Sequence, residues 1–595
     1  MSHQVPVQTP PLGRPLPASA NLALCFSGGG ARSMTCTLGQ LSALSRLADP
    51  VLPDQTLLQR VGVISAVSGG SWAAVPYTFL PDSLNGVPVS DADILMEPQA
   101  PRDLIKGSAS QADPRNVCHM PATCLGAVPG RFDEAGLADF ALQWLWLRLW
   151  DKVPWSWLWI FAVGHFILRG YALYAARYSE SDGILPEKFF SLSAAHVREA
   201  ILPGNSDLGE EDFYLPRPGR PELIVNFNLM EEISGAPQMP LQATGIGTGA
   251  PGQTPDGRLR GGGACESFGF GGTLLTAPSG GGDATVTLRR RYSLCDITGC
   301  SSAFFAQWLQ KHLGGYLDKS LAEAEEAPTK FGFAAAEGVL ARSELTRLRA
   351  ELAALDEKPL AIVPQYAYWP VAQADPAHPV TTTYGFSDGG AFENTGLLGL
   401  LARTRGDVRA LVFVNTSTAL ALDAGGTLVV DAQLPYLFGL NAYKDGAYPS
   451  FGGMRADQPL SFVQLFPPED FADLLRQMEE NSRAGTGAPH QGIAWARQSL
   501  TTVANPVAGI EAGRTARVLW IYNNRVDQWQ DALTDMALRA DLAQGQGDDP
   551  SGSLANFPSY STFDIHQDAE AANMLAQLSA WCVTQLAPEI IALLS

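Results

Sequence analysis

The sequence predicts an α/β fold with a mostly parallel central sheet, and three observations carry that prediction. Two short apolar runs, Asn21 to Ser27 and Val61 to Val67, each end in a glycine turn and pass into a segment of helical spacing. This strand, turn and helix unit recurs within roughly the first eighty residues, and such repetition is how parallel strands are laid side by side. Further apolar runs at Leu223 to Phe227, Leu360 to Tyr368, Ala410 to Asn415 and Arg517 to Tyr522 supply more strands. With 595 residues, 46% of them hydrophobic, the chain can bury the core of one large, elaborated domain.

Taken in order, Met1 to Ala20 is rich in proline and polar residues and has no apolar signal-peptide core. Residues 1–20 are therefore expected to be a flexible arm, and the chain is expected to be cytoplasmic with at most peripheral membrane contact. A catalytic domain is expected over 21–420. In its first unit Gly28-Gly29-Gly30 ends the strand, and Met34, Leu38, Leu41 and Leu44 mark the helix. In its second, Gly69-Gly70 is the turn and the helix runs from Ser71.

Between about 81 and 182 comes a helical insertion of different composition. Phe140 to Trp150 and Trp155 to Leu168 are strongly apolar and hold six tryptophans, at 144, 146, 150, 155, 157 and 159. Arg148, Asp151, Lys152 and Pro154 interrupt them, and the longer uncharged run is shorter than the ~20 residues a bilayer-spanning helix needs. Thr244 to Asp283 is glycine-rich and is expected to form loops. It lacks the G-K-[ST] ending of a phosphate-binding loop. Residues 421–595 form a C-terminal extension, partly completing the catalytic domain. It ends in an expected amphipathic helix from Ala569 to Leu594.

A formal charge of -20 and a pI near 4.8 argue against nucleic-acid partners, which require cationic surface. The same charge opposes non-specific attraction to an anionic bilayer. The eight cysteines have no metal-ligand spacing: neither Cys118 with Cys124 nor Cys295 with Cys300 has the C-x-x-C form. No metal or other cofactor is expected.

Three stretches carry the chemistry. In Ala66-Val67-Ser68-Gly69-Gly70-Ser71-Trp72, a serine sits between strand and helix with small residues two positions to either side, as a sharp nucleophile turn demands. A helix-capping serine in a glycine turn is the plainer reading of the same residues. Ser71 lies inside the helix and lacks those flanks. In Ser27-Gly28-Gly29-Gly30-Ala31-Arg32-Ser33, consecutive glycines let amides approach a substrate and stabilise an oxyanion, while Arg32 can hold a phosphate or brace the loop. The G-x-G-x-x-G spacing of a dinucleotide site is absent. In Tyr384 to Asn394, Asp388 precedes Gly389-Gly390 and can be presented unobstructed into a cleft, although Asp-Gly-Gly is also an ordinary turn.

In this order the three stretches resemble the patatin-like and cytosolic phospholipase A2 family. SGGGARS and SAVSGGSW are closer to the cytosolic phospholipase A2 branch, and the resemblance spans about Asn21 to Thr418. It implies a patatin-like three-layer α/β/α sandwich around a mostly parallel sheet, with the tryptophan-rich insertion and the C-terminal extension lying outside it. It also implies Ser68 as nucleophile, Asp388 as base, Gly28, Gly29 and Gly30 as oxyanion loop, and Arg32 as the family's arginine and a substrate-phosphate candidate. The implied activity is lipid acyl hydrolysis by a Ser-Asp dyad, on a phospholipid or lysophospholipid.

Two alternatives keep the same scaffold: acyl transfer to an acceptor other than water, and a non-catalytic membrane-binding protein. An ordinary aspartate is a weak base at neutral pH, so the dyad requires an environment that raises the pKa of Asp388. A histidine triad would draw on His490 or His566, and Asp296 is a weaker substitute base. The segment Trp144 to Leu168 is expected to make peripheral contact with lipid, the rival reading being a buried hairpin.

Overall fold

A computed structural model describes residues 2–594 except 11, 150–152, 175–176, 180–182, 186–187, 231–236, 254–260, 279–281, 313–314, 317–345, 348–349, 352–353, 355–361, 374–379 and 485–486. In chain order the strands that position the site and the sheet are β1 (Ser2–Val5), β2 (Val7–Gln8), β3 (Leu22–Phe26), β4 (Val61–Val67), β5 (Glu222–Met230), β6 (Pro237–Thr244) and β7 (Gly247–Ala250). They continue as β8 (Gly263–Cys265), β9 (Ala284–Thr287), β10 (Gln365–Tyr368), β11 (Thr382–Asp388), β12 (Val408–Val414), β13 (Ala494–Thr501) and β14 (Thr515–Tyr522). The helices that matter to the site are α1 (Gly30–Leu44), α2 (Gly69–Thr78), α3 (Glu134–Leu149), α4 (Leu158–Val163), α5 (Leu294–Ser301), α6 (Leu397–Arg403), α7 (Ala569–Gln585) and α8 (Ala587–Leu594).

A twelve-stranded sheet runs β2-β8-β7-β6-β5-β4-β3-β12-β14-β13, with β11 joined to β5 and β10 to β11. Strand β3 shows why it lies at the centre. Leu22, Leu24 and Phe26 enter one core, Ala23 and Cys25 the other, and all five are fully buried. Apolar side chains on both faces suit a strand covered on both sides. The first face is covered by α1, α2 and α7, and the second by α6 with apolar residues drawn from 420–478. Helices thus lie on both faces of the sheet.

The expectation of a mostly parallel sheet needs correction. Within the twelve-stranded sheet, parallel pairing is confined to β5-β4-β3-β12-β14, and every other pairing is antiparallel. The reason is visible at Gly245-Ile246, which alone join β6 to β7. Two residues make a hairpin, whereas a parallel return needs a crossover of a dozen or so.

Several local expectations change as well. The residues expected to form a flexible arm, 1–20, include β1, which pairs with β9, and β2, which pairs with β8. Val5 is wholly buried, so this segment is pinned by an apolar side chain as well as by its ladder. The glycine-rich stretch from 244 to 283 contains β7 and β8 rather than loops alone. A methyl group at Gly249 would stand 2.4 Å from the carbonyl oxygen of Gly263, so glycine permits these strands to approach.

The tryptophan-rich insertion is helical, but most of its described apolar side chains turn inward. Trp144 and Trp159 are fully buried, as are the apolar residues from Leu158 to Leu168, while Trp155 and Trp157 are half-buried. Trp159 packs against Trp72 and Phe305, which locks the insertion onto α2 and the end of α5. The rings of Trp144 and Trp159 are thus closed to lipid, whereas Trp155 and Trp157 stay partly exposed. Trp150 and Lys152 lie outside the described residues.

The C-terminal region contributes β13 and β14 to the central sheet and packs α7 along α1. Helix α7 is buried on nearly every side rather than amphipathic, because it sits between α1 and the segments around Val117 and Leu125. Among the described residues no single helix is long and apolar enough to cross a membrane.

Candidate active site

One edge of β5 brings the two key side chains together. Asn226 of β5 lies opposite Val67 of parallel β4, and the next residue, Phe227, lies opposite Asp388 of antiparallel β11. Strand β4 thus leaves the edge of β5 where β11 reaches it. Ser68 and Asp388, the first residue beyond one strand and the last of the other, become neighbours. The Ser68 hydroxyl donates to Asp388 Oδ2 at 2.8 Å, and the Gly390 amide donates to Asp388 Oδ1 at 2.8 Å. Asn228, also on β5, donates its side-chain amide to the Asp388 carbonyl at 2.6 Å.

The turn at Ser68 is strained. Its φ of 48° lies in the left-handed region, a conformation that costs a non-glycine residue about 1–3 kcal/mol. Surrounding bonds hold it there. The Ser68 amide donates to Ser301 Oγ at 2.8 Å, and that hydroxyl donates onward to the Asn226 carbonyl at 2.7 Å. The following helix packs so tightly on the glycine loop that a methyl at Gly69 would stand 2.1 Å from the Gly30 carbonyl oxygen. Ser71 is turned away and donates its hydroxyl to the Ser68 carbonyl at 2.6 Å.

The glycine loop divides into two roles. The Gly28 amide is already engaged, donating to both the carbonyl and the side-chain oxygen of Asn394 at 3.1 Å. Gly28 therefore anchors the loop and is not a free oxyanion donor, which corrects its expected role. A methyl there would stand 2.9 Å from Ser68 Cβ. The amides of Gly29, Gly30 and Gly69 donate to no protein acceptor among the described residues. They cluster at the start of α1 and α2, where unpaired amides favour negative charge.

Arg32 is 2% exposed and donates to the carbonyls of Asn415 and Tyr560 and to the Thr562 hydroxyl. It braces the loop against two distant segments. Its guanidinium is spent on main-chain oxygens, so the substrate-phosphate role is corrected to a structural one. Burial lowers its pKa from 12.5 to about 10.

Asp388 is 7% exposed and Ser68 3%. Burial raises the Asp388 pKa from 3.8 to about 7, against the opposing pull of the Gly390 amide and the Ser68 hydroxyl. That value suits a general base at neutral pH.

The other titratable candidates are elsewhere. His490 Nδ1 pairs with Asp527 Oδ2 at 2.9 Å, and His566 is exposed. Neither touches Ser68 or Asp388. Asp296 caps the first turn of α5 through Ser293 and pairs with Arg290 and Tyr366, a structural arrangement. Among the described residues no cluster of histidine, cysteine, aspartate and glutamate is arranged to hold a metal ion.

Aromatic rings lie beside the glycine loop. The Phe305 ring and the Thr562 carbonyl lie against Gly30. Their chain neighbours Phe304 and Phe563 touch at 5.2 Å between ring centroids and are 46% and 58% exposed. Ser301, Asn394 and Asn228 are site residues that the sequence reading did not single out. Asn394 lay within the stretch containing Asp388, and its position just after that turn was the available signal. Ser301 meets Ser68 across 233 positions and had no local signal.

No family profile matches this sequence, and no curated protein does. Among solved structures the chain is similar to human GIVD cytosolic phospholipase A2, with a TM-score of 0.42 and 12% identity, covering 97% of this chain and 60% of that one. The same enzyme with methyl gamma-linolenyl fluorophosphonate gives 0.42 and 12%, covering 97% of this chain and 59% of that one. With that inhibitor and terbium chloride it gives 0.41 and 13%, again covering 97% and 59%. The chain thus spans about 60% of the length of those solved chains.

Proposed function

We propose that this protein is a serine acyl hydrolase acting on lipid esters, with Ser68 as nucleophile and Asp388 as its base. The observation that carries the reading is the 2.8 Å hydrogen bond from Ser68 Oγ to a buried carboxylate whose pKa is about 7. Ser68 Oγ attacks the ester carbonyl carbon while its proton passes to Asp388 Oδ2. The carbonyl oxygen becomes an oxyanion facing the amides of Gly29, Gly30 and Gly69. Collapse breaks the bond to the leaving alcohol, which takes the proton from Asp388 and leaves an acyl-enzyme. Asp388 then deprotonates a water that attacks the acyl carbon. The tetrahedral adduct breaks at Ser68 Oγ, the proton returns there, and the fatty acid leaves.

The substrate class rests on the mouth of the site. Phe304 and Phe563 present exposed rings beside the glycine loop, a surface that matches an acyl chain better than a polar ester. Hydrolysis of dispersed lysophospholipid and phospholipid by wild type, Ser68→Ala, Asp388→Asn and His490→Ala tests the reading. Loss of turnover in the first two variants, with His490→Ala at wild-type rate, is the expected pattern. Activity that survives Asp388→Asn but not His490→Ala would replace the dyad by a triad.

A further inference from the structure

A second cavity, of about 470 Å³, lies between the strand pair β10–β11, the segment before α5 and the half-buried Trp157. Three consecutive arginines line it, Arg289, Arg290 and Arg291, together with Tyr366 and the hydroxyl-bearing Thr273 and Thr383. No carboxylate lines it among the described residues, although the whole chain carries a charge of -20.

Two of the three arginines are held in place by neighbouring side chains. The Arg290 guanidinium stacks on Trp157 at 4.5 Å, donates to the Tyr366 hydroxyl at 3.2 Å and pairs with Asp296. Arg291 lies over the Phe189 ring at 5.3 Å and pairs with Asp212 at 2.6 Å. Arg289 is exposed and has no ionic or hydrogen-bond partner among the described residues. Among the described residues three cations stand against two carboxylates, which leaves a positive excess, and all three arginines border one space.

We infer that this cavity binds a phosphate-bearing ligand at Arg289, Arg290 and Arg291. Guanidinium forks match phosphate oxygens, and a tetrahedral phosphate accepts from several donors at once. The volume is that of a small-molecule site rather than of a bare ion, and the Trp157 and Tyr366 rings provide a wall for the organic part. A soluble phosphate ester and a lipid headgroup share this chemistry. The inference stands apart from the proposed catalysis, because binding requires neither Ser68 nor Asp388.

Calorimetric titration of Ser68→Ala protein with glycerol 3-phosphate, and with glycerol as control, tests it without turnover. Saturable binding of the phosphate ester only is expected. Arg289→Glu should weaken it by at least about tenfold, and Arg289→Lys by less, since a charged hydrogen bond contributes that much. Arg476→Ala, on a distant exposed arginine, should leave it unchanged. Vesicles of phosphatidylcholine with and without phosphatidate separate the sources. Retention by phosphatidate that is lost in Arg289→Glu assigns a lipid headgroup, and glycerol 3-phosphate binding without such retention assigns a soluble ester. Absence of saturable binding, or equal affinity in Arg289→Glu, overturns the inference.

Discussion

Replacing Asp388 by asparagine should stabilise the fold at alkaline pH while sharply lowering turnover. Burial holds the carboxyl near a pKa of 7, whereas in an unfolded chain it titrates near 3.8. Between those values the folded state binds a proton that the unfolded state has released. The group therefore contributes stability that is complete below about 4 and is lost as pH rises through about 7. From about pH 5 to about pH 8 the wild type gives up roughly two pKa units of this contribution, on the order of 3 kcal/mol. Asparagine keeps the shape and the acceptor for the Gly390 amide but does not ionise.

Urea denaturation of both proteins at about pH 5 and about pH 8 measures the difference, and groups common to both cancel. The stability of Asp388→Asn relative to wild type should rise by on the order of 3 kcal/mol across that interval. A difference independent of pH would mean that Asp388 is not the buried, half-ionised base the site requires. The same variant should lose on the order of 10²–10⁴ in ester turnover. Wild-type kcat/KM should climb roughly tenfold per pH unit below about 7 and then level off.

Gly28→Ala places a methyl 2.9 Å from Ser68 Cβ and should lower kcat on the order of 10²-fold with an unchanged circular dichroism spectrum. Ser301→Ala strips the partner from the buried Ser68 amide and the Asn226 carbonyl. It should cost about 1–3 kcal/mol in denaturation and slow acylation of Ser68. Trp159→Ala opens a cavity beside Trp72 and Phe305, so a loss of about 3–5 kcal/mol is expected. Co-sedimentation of Trp159→Ala with vesicles should match wild type, because its ring is buried.

The sequence showed those parts of the protein whose signal is local. Strands β3, β4 and β12 were legible because parallel strands buried on both faces are written as unbroken apolar runs. The two turns at Gly28 and Ser68 were legible because tight backbone approach demands glycine. The edges of the sheet were hidden by the same cue: glycine in β7 and β8 permits close strand approach, but alone it signals a loop. The tryptophan-rich insertion was ambiguous because burial and lipid contact select the same residues. Arg32 illustrates another limit, since its partners lie at Asn415 and Tyr560 and no spacing near Arg32 announces them. The neighbourhood of Ser68 and Asp388 depends on the β5 register, which is a property of strand pairing rather than of either motif.

The most direct measurement of the central claim is active-site titration with a fluorophosphonate followed by peptide mapping. The dyad predicts one adduct per chain, on Ser68, forming faster as pH rises through about 7, where the Asp388 carboxyl ionises. An adduct on Ser71 or any other serine, or equal labelling of wild type and Ser68→Ala, would contradict it.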